Sequence, residues 1–505
     1  MDVHVIPGVI QESDADAIVV NLFEDVQHPG GATGAVDAAL NGAIDELIAS
    51  GDFTGQVGQV AVLYPRGAIP ARRVILVGLG PRAEFYADPA EGVRRAAASA
   101  IQKARDLETK RVVSILHGAG AGGLSVEDAA RAVVEGSLLG LYEYQGQKTE
   151  AHSKEPPQVL ELVIFGEEDV PAAQQGVERG CVIAQSVALT RDLVNLPPNI
   201  CTPAYLAQTA AEVAAEVGLD VRVLDREQME ALNMGALLAV AQGSDAPPKF
   251  IILEHNADRS DELDTLVLVG KGITFDTGGY SLKGHEGMAT MKTDMAGAAV
   301  VIGALRAIGM LDLPLHVVGL TPASDNMISG RAYRPQEVVT ASNGATIEIK
   351  STDAEGRMLL ADALVYARRF EPTAVVDIAT LTGACVVALG KGIAAGLFST
   401  DDALRDALLG ASKATAEKLW PLPLFPEYKK RLESQTADLR NSADRMDGVG
   451  TSATFLKQFV DYPAWAHVDM AGMAYGIKGI PYIPEKSSTG FGVRLFVELA
   501  RRWKR

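Results

Sequence analysis

The sequence predicts an α/β protein of two domains: a smaller N-terminal α/β domain and a larger C-terminal one whose central mixed sheet is flanked by helices. Three observations carry this expectation. Short runs rich in Val, Ile and Leu alternate with longer stretches of helical periodicity, the pattern of strands joined by crossover helices. A chain of 505 residues exceeds what one hydrophobic core usually supports. Hydrophobic residues at 48% and charged residues at 22% give the balance of a globular chain, with enough apolar material for two large cores.

The elements follow in order. The first domain, 1–168, has expected strands at 16–21, 60–64, 73–78, 111–116 and 159–165, and expected helices at 34–48, 89–106 and 125–144. Residues 145–158 are polar, contain a Pro-Pro pair and are expected to form a loop before the last strand. A linking segment, 169–195, is read as a helix over 171–193. It stops at Pro197-Pro198, since proline lacks the amide hydrogen that a helix interior needs. The second domain, 196–505, has expected strands at 249–254, 265–269, 316–320, 346–349 and 374–378, and helices at 295–308, 355–368 and 402–419. No internal repeat or low-complexity tract interrupts the pattern.

Several function classes recede at once. A net charge of −18 repels nucleic acid and anionic membranes on average. The three cysteines, Cys181, Cys201 and Cys385, form no CxxC pair and fit a reducing compartment. The N-terminus lacks a basic, then apolar, leader, and no apolar run approaches the ~20 residues that span a bilayer, so a cytoplasmic protein is expected. Residues 118–123 fit GxGxxG after a strand. The acidic strand end that a dinucleotide site requires is missing downstream, so the glycines are read as a tight turn. There is no P-loop, GxSxG elbow or HExxH, and the eight histidines form no i, i+4 pair.

Chemistry concentrates in two segments that each follow an apolar strand and run into a helix, where ligands bind in open α/β sheets. The first spans 270–283 and continues to 291–294; the second is 351–357. Together they hold four acids, Asp276, Asp294, Asp353 and Glu355, beside glycine-rich turns and the cations Lys271, Lys283 and Arg357. Four close carboxylates repel one another unless cations neutralise them, and two divalent ions with bridging carboxylates make a hydrolytic centre. A competing reading stays open at this point: Asp294, Asp353 and Glu355 precede helices and fit ordinary N-capping.

These same residues resemble the leucyl aminopeptidase family of metallopeptidases (peptidase family M17). The family pattern GKGxxFD[ST]GGxxLK stands here at 270–283, MKxD at 291–294, and NTDAEGR at 351–357 with Ser351 in place of Asn. Weaker likeness continues through 195–199, 379–384, 438–441 with 455–456, and 465–472, so it covers most of the chain beyond about 190. Tyr280, Gly284 and the loop 442–450 also depart from the usual pattern, and none of these departures removes a ligand.

The resemblance implies an aminopeptidase with two divalent ions per subunit, zinc or manganese, with magnesium or cobalt possible in one site. Lys271, Asp276, Asp294 and Glu355 would hold one ion; Asp276, Asp353 and Glu355 would hold the other. It implies an oxyanion role for Lys283, and for Arg357 the holding of a bicarbonate that acts as general base. A pocket of Met291, Thr380, Gly383, Ala471 and Ala474 would receive the first side chain of a peptide. That pocket is uncharged, so leucyl and methionyl substrates are expected to beat alanyl, and acidic ones to be poor. Peptide substrates and a homohexamer are implied as partners. Rival readings are a two-metal phosphate-ester hydrolase, a DNA-binding role against which the charge argues, and nucleotide binding at 118–123.

Overall fold

The computed structural model describes residues 1–150, 154–444 and 448–504. The chain divides into two compact units, Met1–Ala188 with Lys478–Glu485, and Leu189–Ile477 with Lys486–Arg505. The 26-residue helix Val170–Asn195 carries the chain from one into the other, and the division falls inside it. The sequence reading drew contiguous domains; the structure returns 478–485 to the first unit.

The first unit is built on a six-stranded sheet. Its strands are β1 (Asp2–Pro7), β2 (Ala17–Phe23), β3 (Val60–Leu63), β4 (Val74–Gly80), β5 (Arg111–Ile115) and β6 (Val159–Ile164), in the order β1-β6-β5-β2-β4-β3. All neighbours are parallel except β3 with β4. β1 was missed because its six residues DVHVIP read as a short alternation with a terminal proline. The expected helix 34–48 is two helices, Gly31–Ala39 and Ala43–Ser50. Between them Asn41 (φ 55°) and Gly42 (φ 86°) take the left-handed conformation, which ends a helix. The 118–123 motif forms a single 3-10 turn, Gly120–Gly122, and the helix after it is capped by its own Ser125 side chain, which accepts from the Asp128 amide. A Cβ on Gly118 would lie 2.8 Å from Val93 Cγ2, so the motif serves close packing. Of the expected loop 145–158, residues 151–153 lie outside the described ones.

The second unit carries nine strands in one mixed sheet. They are β7 (Asp220–Leu224), β8 (Lys249–His255), β9 (Thr265–Gly270), β10 (Gly272–Asp276), β11 (His316–Asn326), β14 (Ala374–Ala379), β15 (Ala395–Ser399), β16 (Leu419–Pro421) and β18 (Trp465–Asp469). Their order is β16-β15-β18-β14-β9-β11-β8-β7, with β10 beside β11. A small third sheet joins β12 (Val338–Thr340), β13 (Thr346–Glu348) and β17 (Leu439–Arg440). β9 lies parallel to both β11 and β14, and β14 lies parallel to β18, so these strands end on one edge. The helices Ala296–Met310 and Gly356–Ala367 are buried almost throughout, the latter packing into a large hydrophobic core of this unit. Contrary to the sequence reading, one stretch, His285–Met310, is long and apolar enough to cross a membrane, but 89% of its most apolar window is buried inside the protein. The expected strand 316–320 runs six residues further: Pro322, a usual stop signal, is accommodated opposite Phe250 of β8.

Candidate metal centre

The parallel strands deliver their chemistry at their carboxyl ends. Lys271 follows β9, Asp276 closes β10, Asn326 closes β11, Thr380 follows β14 and Asp469 closes β18. Glu355 and Arg357 stand at the start of the helix Gly356–Ala367.

Lys271, 3% exposed, places Nζ 2.7 Å from Asp294 Oδ1 and 2.8 Å from Glu355 Oε1, and it donates to the Thr380 carbonyl at 3.1 Å. Lys283 Nζ lies 2.7 Å from Asp276 Oδ2 and 2.5 Å from Asp353 Oδ1. Carboxylate oxygens of Asp276, Asp353 and Glu355 lie within 4.8 Å of one another, the only such group among the described residues. Asp294 Oδ2 and Glu355 Oε2 are buried without any hydrogen-bond partner. Buried carboxylate oxygens with no donor are costly, so a divalent ion fits this donor set.

The capping alternative fails on geometry. The residue preceding the helix Ala296–Met310 is Met295, and Asp294 spends Oδ1 on Lys271 and Thr380 Oγ1. Glu355 occupies the N-cap position of its helix, yet its side chain makes no capping hydrogen bond.

Electrostatics follows from burial. Two ammonium groups against four carboxylates leave positive charge short. Burial and the nearby Glu355 push Asp276 up to about 6, and burial raises Asp294 and Asp353 against the pull of the lysines. For Glu355 burial also opposes the charge, but Lys271 and Lys283 outweigh it and hold the carboxyl below its ordinary range. Burial would lower Lys271 and Lys283, yet the facing carboxylates hold both ammonium groups well above their ordinary value.

A cavity of about 270 Å³ opens onto this cluster. It is lined by Lys271, Asp276, Lys283, Asp294, Asp353 and Glu355, and also by all five expected pocket residues, Met291, Thr380, Gly383, Ala471 and Ala474. Arg357 is not among the lining residues. Its guanidinium is buried, donating to the Asn441 carbonyl at 2.8 Å and Ser452 Oγ at 2.7 Å, and burial lowers it to about 10. Its Nε has no hydrogen-bond partner.

The sequence reading missed the residues that position the site. Asn326 donates to Asp276 Oδ1 at 2.8 Å. Asp469 accepts from Thr382 Oγ1 at 2.6 Å and from the Ala471 amide at 3.2 Å, tying the two walls of the recess together. Thr382, Val386, Lys391 and Tyr475 also line the cavity. Asp469 lies inside the weakly matching stretch 465–472, whereas Asn326 lies in no such stretch and reaches the site only through the approach of strand ends.

The description of the cytosol aminopeptidase family's catalytic domain matches residues 188–497, and that of its N-terminal domain matches 19–151. The chain belongs to the cytosol aminopeptidase family. A probable cytosol aminopeptidase of Roseiflexus castenholzii is 43% identical over 508 residues, covering 100% of this chain and 99% of the relative. One of Geobacter sulfurreducens is 44% identical over 485 residues, 95% of each chain. Among solved structures, a mutant of tomato leucine aminopeptidase superposes with a TM-score of 0.88 at 33% identity, covering 99% of this chain and 96% of the other. A bottromycin maturation enzyme, BotP, in complex with Mn gives 0.82 at 35% identity, covering 96% and 99%. Membership makes this chain an aminopeptidase, a hydrolase of peptide bonds, and the two-unit α/β architecture is that of the family.

Proposed function

We propose that this protein is a two-metal aminopeptidase that removes leucine-like, apolar residues from the N-termini of peptides. The observation that carries the reading is the donor set itself: buried, donorless carboxylate oxygens beside a cavity with one apolar wall. Lys271, Asp276, Asp294 and Glu355 would hold one divalent ion, and Asp276, Asp353 and Glu355 the other. Zinc or manganese suits both sites, with magnesium or cobalt also suited to the second, where oxygen donors dominate. The manganese in the BotP relative supports a divalent ion here. When bound, such ions lower the pKa of a water molecule and neutralise the carboxylates.

The chain's own residues do the rest. Lys271 must give up a proton to serve as a ligand, and the neighbouring acids are placed to accept it. Lys283, 18% exposed at its side chain, is placed to face the oxyanion that forms as the peptide carbonyl is attacked. Arg357, with an unmet Nε donor, is suited to hold a small anion such as bicarbonate, which would act as general base. Met291, Gly383, Ala471 and Ala474 offer an apolar wall to the first side chain, which gains about 0.8 kcal/mol per buried methylene. The name that the relatives carry supports a cytoplasmic location, and assembly into homohexamers belongs to the same reading.

The test is hydrolysis of a panel of aminoacyl amides by the full chain before and after exhaustive chelation. Leucyl and methionyl amides should be cleaved faster than alanyl ones, activity should vanish on chelation, and zinc or manganese should restore it. Full activity in protein shown to be metal-free would sink the reading.

A further inference from the structure

A further cation, announced by no motif, lines the cavity beside its apolar wall. Lys391 sits in the turn after the helix Gly383–Leu389, between Gly390 (φ 84°) and Gly392 (φ 78°). The Gly392 amide donates to the Gly472 carbonyl at 2.9 Å, which fixes the turn against the segment that carries Ala471 and Ala474. A Cβ built on Gly472 would lie 3.6 Å from Val386 Cγ2 and 3.7 Å from Lys391 Cα. Lys391 therefore stands on the recess side of the cavity, and it lines that cavity.

Its state differs from that of the other lining ammonium groups. Lys271 and Lys283 are each bound by two carboxylates, whereas Lys391 forms no ion pair or hydrogen bond among the described residues and is exposed. The neighbouring hydroxyls are committed elsewhere. Thr380 donates to Asp294, Thr382 to Asp469, and Tyr475 to the Lys486 carbonyl.

We propose that Lys391 reads the far end of the substrate's first side chain, so that the recess takes glutamyl N-termini as well as apolar ones. This rests on the reading of the cavity as an aminopeptidase pocket. The two methylenes of a glutamyl side chain lie along the apolar wall while its carboxylate reaches the ammonium at the rim. An aspartyl side chain, one methylene shorter, leaves its charge under the apolar wall, where an unpaired charge is strongly disfavoured. Lys391 is thus a specificity-determining residue that sorts acidic substrates by length.

The experiment compares kcat/KM for glutamyl, glutaminyl, aspartyl and leucyl amides in the metal-loaded full chain and in Lys391→Met, Lys391→Glu and Lys391→Arg. Glutaminyl is the neutral control of the same shape, so the glutamyl-to-glutaminyl ratio isolates the charge. The ratio should fall about fivefold in Lys391→Met, the scale of a solvent-exposed ion pair. It should fall further in Lys391→Glu and return in Lys391→Arg. In the wild-type protein it should also fall as salt rises from about 0.01 M to about 1 M, where the Debye length shrinks from ~30 Å to ~3 Å. Leucyl turnover with a ratio unchanged in the Met and Glu variants overturns this inference alone. Absence of turnover on every amide sinks the aminopeptidase reading, and this inference with it.

Discussion

Lys271 is asked to be two things at once. Without an ion it is the ammonium that binds Asp294 and Glu355; as a ligand it must be a neutral amine. Its stem lies against Gly356: a Cβ there would lie 2.3 Å from Lys271 Cε, so the lysine would have to shift. Gly356→Ala should therefore displace Lys271 and weaken metal affinity by about 10–100-fold, the usual cost of disturbing a ligand's support. Metal titration would show it, and an unchanged affinity would mean that Gly356 does not hold Lys271 in place for an ion. Lys283→Ala should behave differently, keeping both ions while kcat/KM drops by about 2–4 kcal/mol of transition-state stabilisation. Loss of an ion in that variant would contradict the oxyanion role. At this scale the candidate ligands were legible because they cluster in two short segments beside glycines. Asn326 and Asp469 were not, since each reaches the site only because β10 pairs with β11 and β14 with β18.

Elements tell the same story in a different currency. Long strands with apolar runs, such as β4 and β9, announce themselves; β1 does not, because its alternation spans only six residues and ends in proline, and its pairing with β6 completes it. The helix boundary at Asn41-Gly42 was hidden because helical periodicity continues across it. The end of β5 holds a buried group with a measurable consequence. His117 is wholly buried, accepts from Asn21 Nδ2 at Nδ1 (2.8 Å) and lies 3.2 Å from Ser114 Oγ through Nε2, which fits a neutral ring with its proton on Nε2. Burial lowers it to about 4. A folded-state value below the unfolded ~6.5 gives stability that is present above pH 6.5 and lost as pH falls toward 4, about 3 kcal/mol in all. His117→Gln should remove that loss, so its stability gap from the wild type should narrow by about this amount between pH 7 and pH 4. Hydrogen exchange of the β2 and β5 amides measures it, and a gap that is the same at both pH values would refute the neutral, buried assignment.

At the scale of the whole molecule, the two units differ in what an ion can do for them. Among the described residues the second unit alone holds a carboxylate group spaced for a metal, and that group is short of positive charge. Its strands β9, β10 and β14 and the helix Gly356–Ala367 converge on it, so their native arrangement is the binding-competent one. An ion that binds this arrangement and not the unfolded chain stabilises it by about 2.7 kcal/mol at a hundredfold excess over Kd. Opening of these elements must then release the ion, and their amide exchange should slow by about a hundredfold on loading with zinc or manganese. The amides of β2, β4 and β5 in the first unit have no such partner and should keep their rates. Glu355→Ala, which removes the carboxylate assigned to both ions, should abolish the slowing while leaving the first unit's rates as they were. Equal slowing in both units would show that the ion acts elsewhere, and no slowing in the second would show that the acid cluster is not a metal centre at all.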